Sequence, residues 1–130
     1  MYERFRWAED LFEQGDYLSA GRVLEDLFAD VERGHEEVGH GLTDARMLLA
    51  RAYYHSGQLG RAERTSRRVL DADPTDAYAA LLLARTLERG SRREEAQQAL
   101  RLALALGAPG VVAEPGVVEE PGVDVQEEAA

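Results

Sequence analysis

The chain contains no cysteine. That excludes a disulfide framework, a thiolate metal site and a thiol nucleophile. Lysine, isoleucine and asparagine are also absent, so all 15 basic residues are arginine. The bias points to a GC-rich coding sequence of the kind common in bacteria more than to a chemistry. No apolar run is long enough to span a bilayer, and Met1 to Trp7 is charged and amphipathic, unlike a signal peptide. The expectation is a cytoplasmic chain with no membrane partner. No Gly-rich phosphate loop, nucleophile elbow or convergent acid–base set occurs. The chain is therefore read as a non-enzyme, with no cofactor and no metal.

Charge is unevenly laid out. Residues 1–42 carry 11 acids and 4 arginines, residues 43–106 carry 8 acids and 11 arginines, and residues 107–130 carry 6 acids and no base. The net formal charge is −10. An acidic–basic–acidic order argues against nucleic acid as a partner. It permits intramolecular or head-to-tail pairing, weakened by screening.

The dominant pattern is a repeat. Leu49, Ala50, Tyr53 and Ala62 return as Leu83, Ala84, Leu87 and Ala96 after 34 residues. Shifting back by 42 residues gives Trp7, Ala8, Leu11, Gly15 and Ala20, aligned with Leu49, Ala50, Tyr53, Gly57 and Ala62. The extra eight residues, 35–42, read as a loop insertion because of Gly39 and Gly41. A period in this range marks a solenoid whose units cannot bury their apolar faces alone.

Apolar spacing predicts six helices in three antiparallel pairs, at about 2–14, 18–33, 44–55, 58–72, 76–90 and 92–106. Gly15-Asp16, Gly34, Ser56-Gly57 and Asp73-Pro74 separate them. Thr43 or Asp44 is the expected cap of the third helix, and Thr75 or Asp76 that of the fifth. Ser91-Arg92-Arg93-Glu94 reads as a capping box opening the sixth. Ala8, Ala50 and Ala84 should meet Ala20, Ala62 and Ala96 where paired helices approach, so a larger side chain there should strain the packing.

From Gly107 the character changes. Pro109, Pro115 and Pro121 recur every six residues, each followed by Gly-Val. Such a segment, 107–130, is expected to be disordered or extended. The helical part is expected to be one domain, 1–106, with repeats at about 1–34, 43–76 and 77–108.

On these residues the chain resembles the tetratricopeptide repeat family. The central unit fits best, through Leu49-Ala50-x-x-Tyr53, Gly57, Ala62 and Pro74. The third has Leu83-Ala84-x-x-Leu87 and Ala96, with Ala108 in place of the proline. The first has Trp7-Ala8-x-x-Leu11, Gly15-Asp16-Tyr17 and Ala20, with Glu32 in place of the proline. The resemblance implies an all-α, right-handed superhelical stack of three helical hairpins. Their first helices would line a concave groove for a peptide or partner segment. The best-known chaperone-binding members clamp a C-terminal carboxylate with lysine and asparagine, and this chain has neither.

Opposite the inward face, each first helix carries a second stripe at i, i+3, i+7 and i+10. The stripes are Tyr2, Phe5, Glu9 and Phe12; Asp44, Met47, Arg51 and Tyr54; and Tyr78, Leu81, Arg85 and Glu88. Aromatics with arginine and methionine are the composition of binding surfaces, so these twelve are the candidate groove. Arg51 and Arg85, one period apart, suit a carboxylate ligand or pair with Glu9 and Glu88. Arg61, Arg64 and Arg68 form a stripe on the outer helix, either solvated or a seat for an anion or the acidic tail. His35 and His40 flank two glutamates at a spacing that misses a zinc-binding helix register. His55 is placed near the groove rim.

The sixth helix ends in alternating leucines. Leu100 and Leu104 are expected to face inward, leaving Leu102 and Leu106 uncovered at an oligomer edge unless the tail valines, a second copy or a partner cover them. The leading expectation is a protein-interaction scaffold or adaptor. The alternative is a self-assembling structural subunit, a homo-oligomer through the uncapped C-terminal helix, with the acidic tail returning to the groove as an autoregulator.

Overall fold

The computed structural model describes residues 2–34 and 41–108. Six helices follow one another: α1 (Tyr2–Glu13), α2 (Tyr17–Glu32), α3 (Leu42–His55), α4 (Leu59–Ala72), α5 (Ala77–Arg89) and α6 (Arg93–Ala105). The described residues contain no strand. Each helix packs on the next, giving hairpins α1–α2, α3–α4 and α5–α6 stacked in order. The backbones of α1 and α3, and of α3 and α5, also come together, while among the described residues those of α2, α4 and α6 stand apart and are bridged by long side chains, as in Arg61–Glu25 and Arg67–Glu95. The first helices therefore crowd on the inner side and the second helices splay on the outer side.

Small residues set this arrangement. Ala8, Ala20, Ala50, Ala62 and Ala84 are 0% exposed and Ala96 is 3% exposed. Around them, Leu24, Leu27, Leu48, Leu49 and Tyr53 form one cluster shared by the first two hairpins. Leu83 and Leu87 with Ala99 form the next, against which Leu70 packs from α4. The Tyr53 hydroxyl donates to Glu25 Oε2 at 2.5 Å, tying α3 to α2. Burial, and then the Glu25 carboxylate, push the Tyr53 hydroxyl pKa above its ordinary value.

The turns inside the hairpins share one geometry. Gly15, Gly57 and Ser91 have φ of +83°, +80° and +62°. In each, the next residue's N–H reaches back to the helix: Asp16 to the Leu11 carbonyl, Gln58 to Tyr53 and Arg92 to Leu87. This is the left-handed helix stop that glycine normally supplies. Ser91 therefore does not open a capping box. It occupies the left-handed position, and the residue before α6 is Arg92, with no side-chain cap. Asp76 does cap α5, accepting from Ala79 N at 3.0 Å. Neither Thr43 nor Asp44 caps α3, because that helix starts two residues earlier behind Gly41, at φ +97°.

Two edge expectations are corrected. Trp7, aligned with the buried Leu49 and Leu83, is 56% exposed, because among the described residues nothing packs on that side of α1. In α6 the inward stripe runs through Ala96, Ala99 and Ala103. Leu104 therefore lies on a flank and is 47% exposed, as Leu102 is at 40%. Leu106 instead packs with Ala80, Ala103 and Ala108. The repeat explains Leu104: its counterparts Phe28 and Leu70 are partly buried against the core clusters that hold the following first helix, and Leu104 has no such helix beside it among the described residues. The insertion residues 35–40, with His35 and His40, and the tail from Pro109 lie outside the described residues.

A left-handed conformation costs an L-residue about 1–2 kcal/mol that glycine avoids. Ser91→Gly is expected to stabilise the fold by about 1 kcal/mol, measured as a higher urea midpoint with an unchanged slope. A lower midpoint would mean that Ser91 contributes an interaction beyond its turn.

Candidate functional site

The inner side holds an open cleft between α3 and α5, with a volume of ≈ 710 Å³. Asp44, Met47, Arg51 and Tyr54 line it from α3, and Tyr78, Leu81 and Arg85 from α5. The helical period places these side chains on one face, and the close approach of α3 and α5 makes the two stripes into facing walls. Tyr78 is 59% exposed at the cleft. Thr43, Leu82 and the cap residue Asp76 complete the lining. Asp76 is dictated by the start of α5, so its position at the cleft follows from hairpin packing and not from the stripe.

Of the predicted stripe of α5, Glu88 falls outside this cleft and accepts from Arg85 Nη1 at 3.1 Å. The stripe of α1 divides. Glu9 and Phe12 line a second, smaller cavity of ≈ 340 Å³ between α1 and α3, together with Tyr17, Leu48 and Arg51. Phe5 packs against the core, and Tyr2, largely exposed, accepts a hydrogen bond on its hydroxyl from Arg6 Nη1 at 2.9 Å. Arg51 borders both cavities. Its guanidinium lies 4.5 Å from the centre of the Phe12 ring, while Glu9 is 3.9 Å from Arg6. Aromatic contact therefore holds Arg51 in place while its side chain stays exposed.

An aromatic cluster at the rim was not apparent from the stripe. His55 stacks on Tyr17 at 4.8 Å and meets Phe12 and Tyr54 edge-on at 5.4 and 5.3 Å. Arg89 covers the Tyr54 ring at 4.8 Å and donates to the Tyr54 carbonyl at 2.9 Å. Tyr17 sits one residue after the Gly15-Asp16 turn and His55 one residue before the Ser56-Gly57 turn. Only the shared turn geometry brings them together, so helical periodicity misses the pair. The site is thus a row of aromatic rings capped by Arg51 and Arg89, opening onto the apolar wall of Met47 and Leu81. It offers shape and forked donors to a ligand. No group of three or more potential ligating side chains among the described residues is placed to hold a metal ion.

Burial, and then the charges of Arg51 and Arg89, hold the His55 pKa below its ordinary 6.5. The folded chain therefore binds this proton more weakly than the unfolded one. The contribution to stability is full above the unfolded pKa and is lost as pH falls through the depressed folded value. Lowering the pH from about 7.5 to about 5 is expected to reduce the urea midpoint, and His55→Gln to remove part of that slope. Identical slopes in the two proteins would show that His55 is not linked to folding.

Among the described residues no helix is long and apolar enough to cross a membrane. No curated protein matches the chain. A family model described as tetratricopeptide repeat matches residues 11–85, more than half of the 130 residues, and repeats of this kind generally mediate protein–protein interaction. The hairpin order, the period and this match agree, and the chain belongs to the tetratricopeptide repeat family.

Proposed function

We propose that this chain is a small cytoplasmic adaptor, without enzymatic activity, that binds an extended or helical segment of a protein partner in the cleft between α3 and α5. The observation that carries the reading is the lining itself. Met47, Leu81 and an exposed Tyr78 form an apolar wall, and Arg51 and Arg85 stand on the two sides. Aromatic and arginine side chains in a concave setting are those that dominate binding energy when truncated. The arginines favour a partner segment with carboxylates, and the methionine suits side chains of more than one shape.

The wild type, Arg51→Glu and Tyr78→Ala would each be used to capture proteins from a cell extract, after circular dichroism shows equal helicity. A protein held by the wild type and weakened about 30-fold or more in either variant is the expected result, the size of a hot-spot loss of about 2 kcal/mol. Captures identical across the three proteins would overturn the cleft as the binding site.

A second reading rests on the flank of α6. Leu104 stands where Phe28 and Leu70 pack against the next hairpin, yet it is 47% exposed. Burying such a leucine is worth about 1.5–3 kcal/mol, which favours self-association through this edge. Leu104→Glu is expected to shift the sedimentation of a concentrated sample toward the monomer. A wild type that is monomeric at the same concentration would dismiss the reading.

A further inference from the structure

The outer side of the stack holds a second cleft that the interaction groove does not explain. Because α2 and α4 splay, a space of ≈ 440 Å³ opens between them over α3. Its apolar floor includes Phe28, Leu49 and Tyr53, and four arginines surround it. Arg61, Arg64 and Arg68 come from α4, which alone suggests a solvated stripe. The fold adds Arg46 from α3, whose guanidinium covers the Phe28 ring at 4.6 Å.

The cations are poorly balanced. Glu25 is 3.6 Å from Arg61 and also accepts from the Tyr53 hydroxyl. Among the described residues, Arg46, Arg64 and Arg68 take part in no ion pair. Glu32 is the other acid at the cleft. Burial first, and then repulsion from Arg68, hold the Arg46 pKa below the usual arginine value, with Glu32 opposing. Several forked donors over an apolar floor form a seat for carboxylates that carry small apolar side chains beside them.

We propose that this outer cleft is an anion-binding site whose occupant is the chain's own acidic segment, 109–130. That segment has six carboxylates, no base, and valines directly beside its acids, as in Val117-Val118-Glu119-Glu120. It begins one residue after Ala108, the end of the described helical stack. A random-coil chain of that length, 22 residues, has an r.m.s. span of about 25 Å. Packed helices stand about 8–10 Å apart, and α6 packs on α5 and α5 on α4, so the two helix spacings from α6 to α4 come to about 20 Å, within that span. The inner groove is the poorer seat for it, because Asp44 and Asp76 line that groove beside Arg51 and Arg85. A tail on the outer face leaves the inner groove open to a partner, so the two sites are independent.

The absence of cysteine makes a direct test available. Gln126→Cys in the full chain accepts a single nitroxide label, and amide signals are then compared with the label oxidised and reduced. The expected result is paramagnetic broadening of residues 61–68, well above that of 47–54 and 81–88. It should vanish in Arg64→Glu/Arg68→Glu, whose substituted side chains are exposed. It should also vanish in the unmutated background at 1 M salt, where the screening length falls to about 3 Å. Broadening centred on 47–54 and 81–88, or broadening indifferent to both charge reversal and salt, would overturn the proposal. So would transfer of the effect to an isotope-labelled copy lacking the nitroxide, which would assign the contact to a second molecule.

Discussion

The close approach of each first helix to its partner is the constraint on which the rest depends. Small side chains stand at the matching positions of both helices, Ala8 and Ala20, Ala50 and Ala62, Ala84 and Ala96, none more than 3% exposed. Side chains of this size let two helices approach to the short end of the usual interaxial range. The larger apolar groups, Leu24, Leu27, Leu49 and Tyr53, then fill the space between one hairpin and the next. Because the backbones of the first helices also come together and those of the second helices stand apart, the stack acquires an inner and an outer side. Both clefts are consequences of that asymmetry. One arises where α3 and α5 stand together, the other where α2 and α4 stand apart.

The repeat is imperfect, and its imperfections show what each position requires. Ser66 occupies the place held by Leu24 and Leu100 in the other hairpins, and it is fully buried. Its hydroxyl has no hydrogen-bond partner among the described residues, a cost of about 1–3 kcal/mol. Ser91 stands where Gly15 and Gly57 stand and adopts their left-handed backbone regardless. The hairpin geometry therefore overrides local preference at both positions. Packing across the whole stack is strong enough to hold a serine in a hydrophobic core and another in a conformation suited to glycine.

The fold was legible because repetition reports packing without any need to know the partner of each residue. The six helices lie within two residues of their expected ends, since Gly15, Gly57 and Asp73-Pro74 punctuate them through the backbone alone. Caps were less legible. Ser91-x-x-Glu94 has the residues of a capping box, but the tight turn uses Ser91 first. The inner stripe of α3 and α5 was legible from period 3.6, and the structure gathers seven of its eight residues around one cleft. The stripe of α1 was not, because a terminal helix follows different packing demands: Phe5 turns into the core and Tyr2 to solvent. Tyr17 and Arg46 escaped because their neighbours come from other helices, as did the ring partners of His55, a residue expected near the rim. Leu102 is exposed as expected, but Leu104 and Leu106 at the end of α6 misled for a related reason. Alternation every second residue places Leu102 and Leu104 on opposite flanks of a helix, so neither belongs to the inward stripe that Ala96, Ala99 and Ala103 define.

The two sides also differ in how their arginines are held. On the inner side Arg51 lies on Phe12, Arg89 lies on Tyr54 and binds its carbonyl, and Arg85 bonds Glu88. Each cation there is fixed before any ligand arrives, which lowers the entropy lost on binding and suits recognition of one geometry. On the outer side Arg64 and Arg68 are exposed, and neither is in an ion pair among the described residues. Long side chains held this loosely contribute charge more than shape, and their attraction is the kind that salt weakens. The three hairpins thus carry arginines held in fixed contacts on one side and a loosely held cluster on the other.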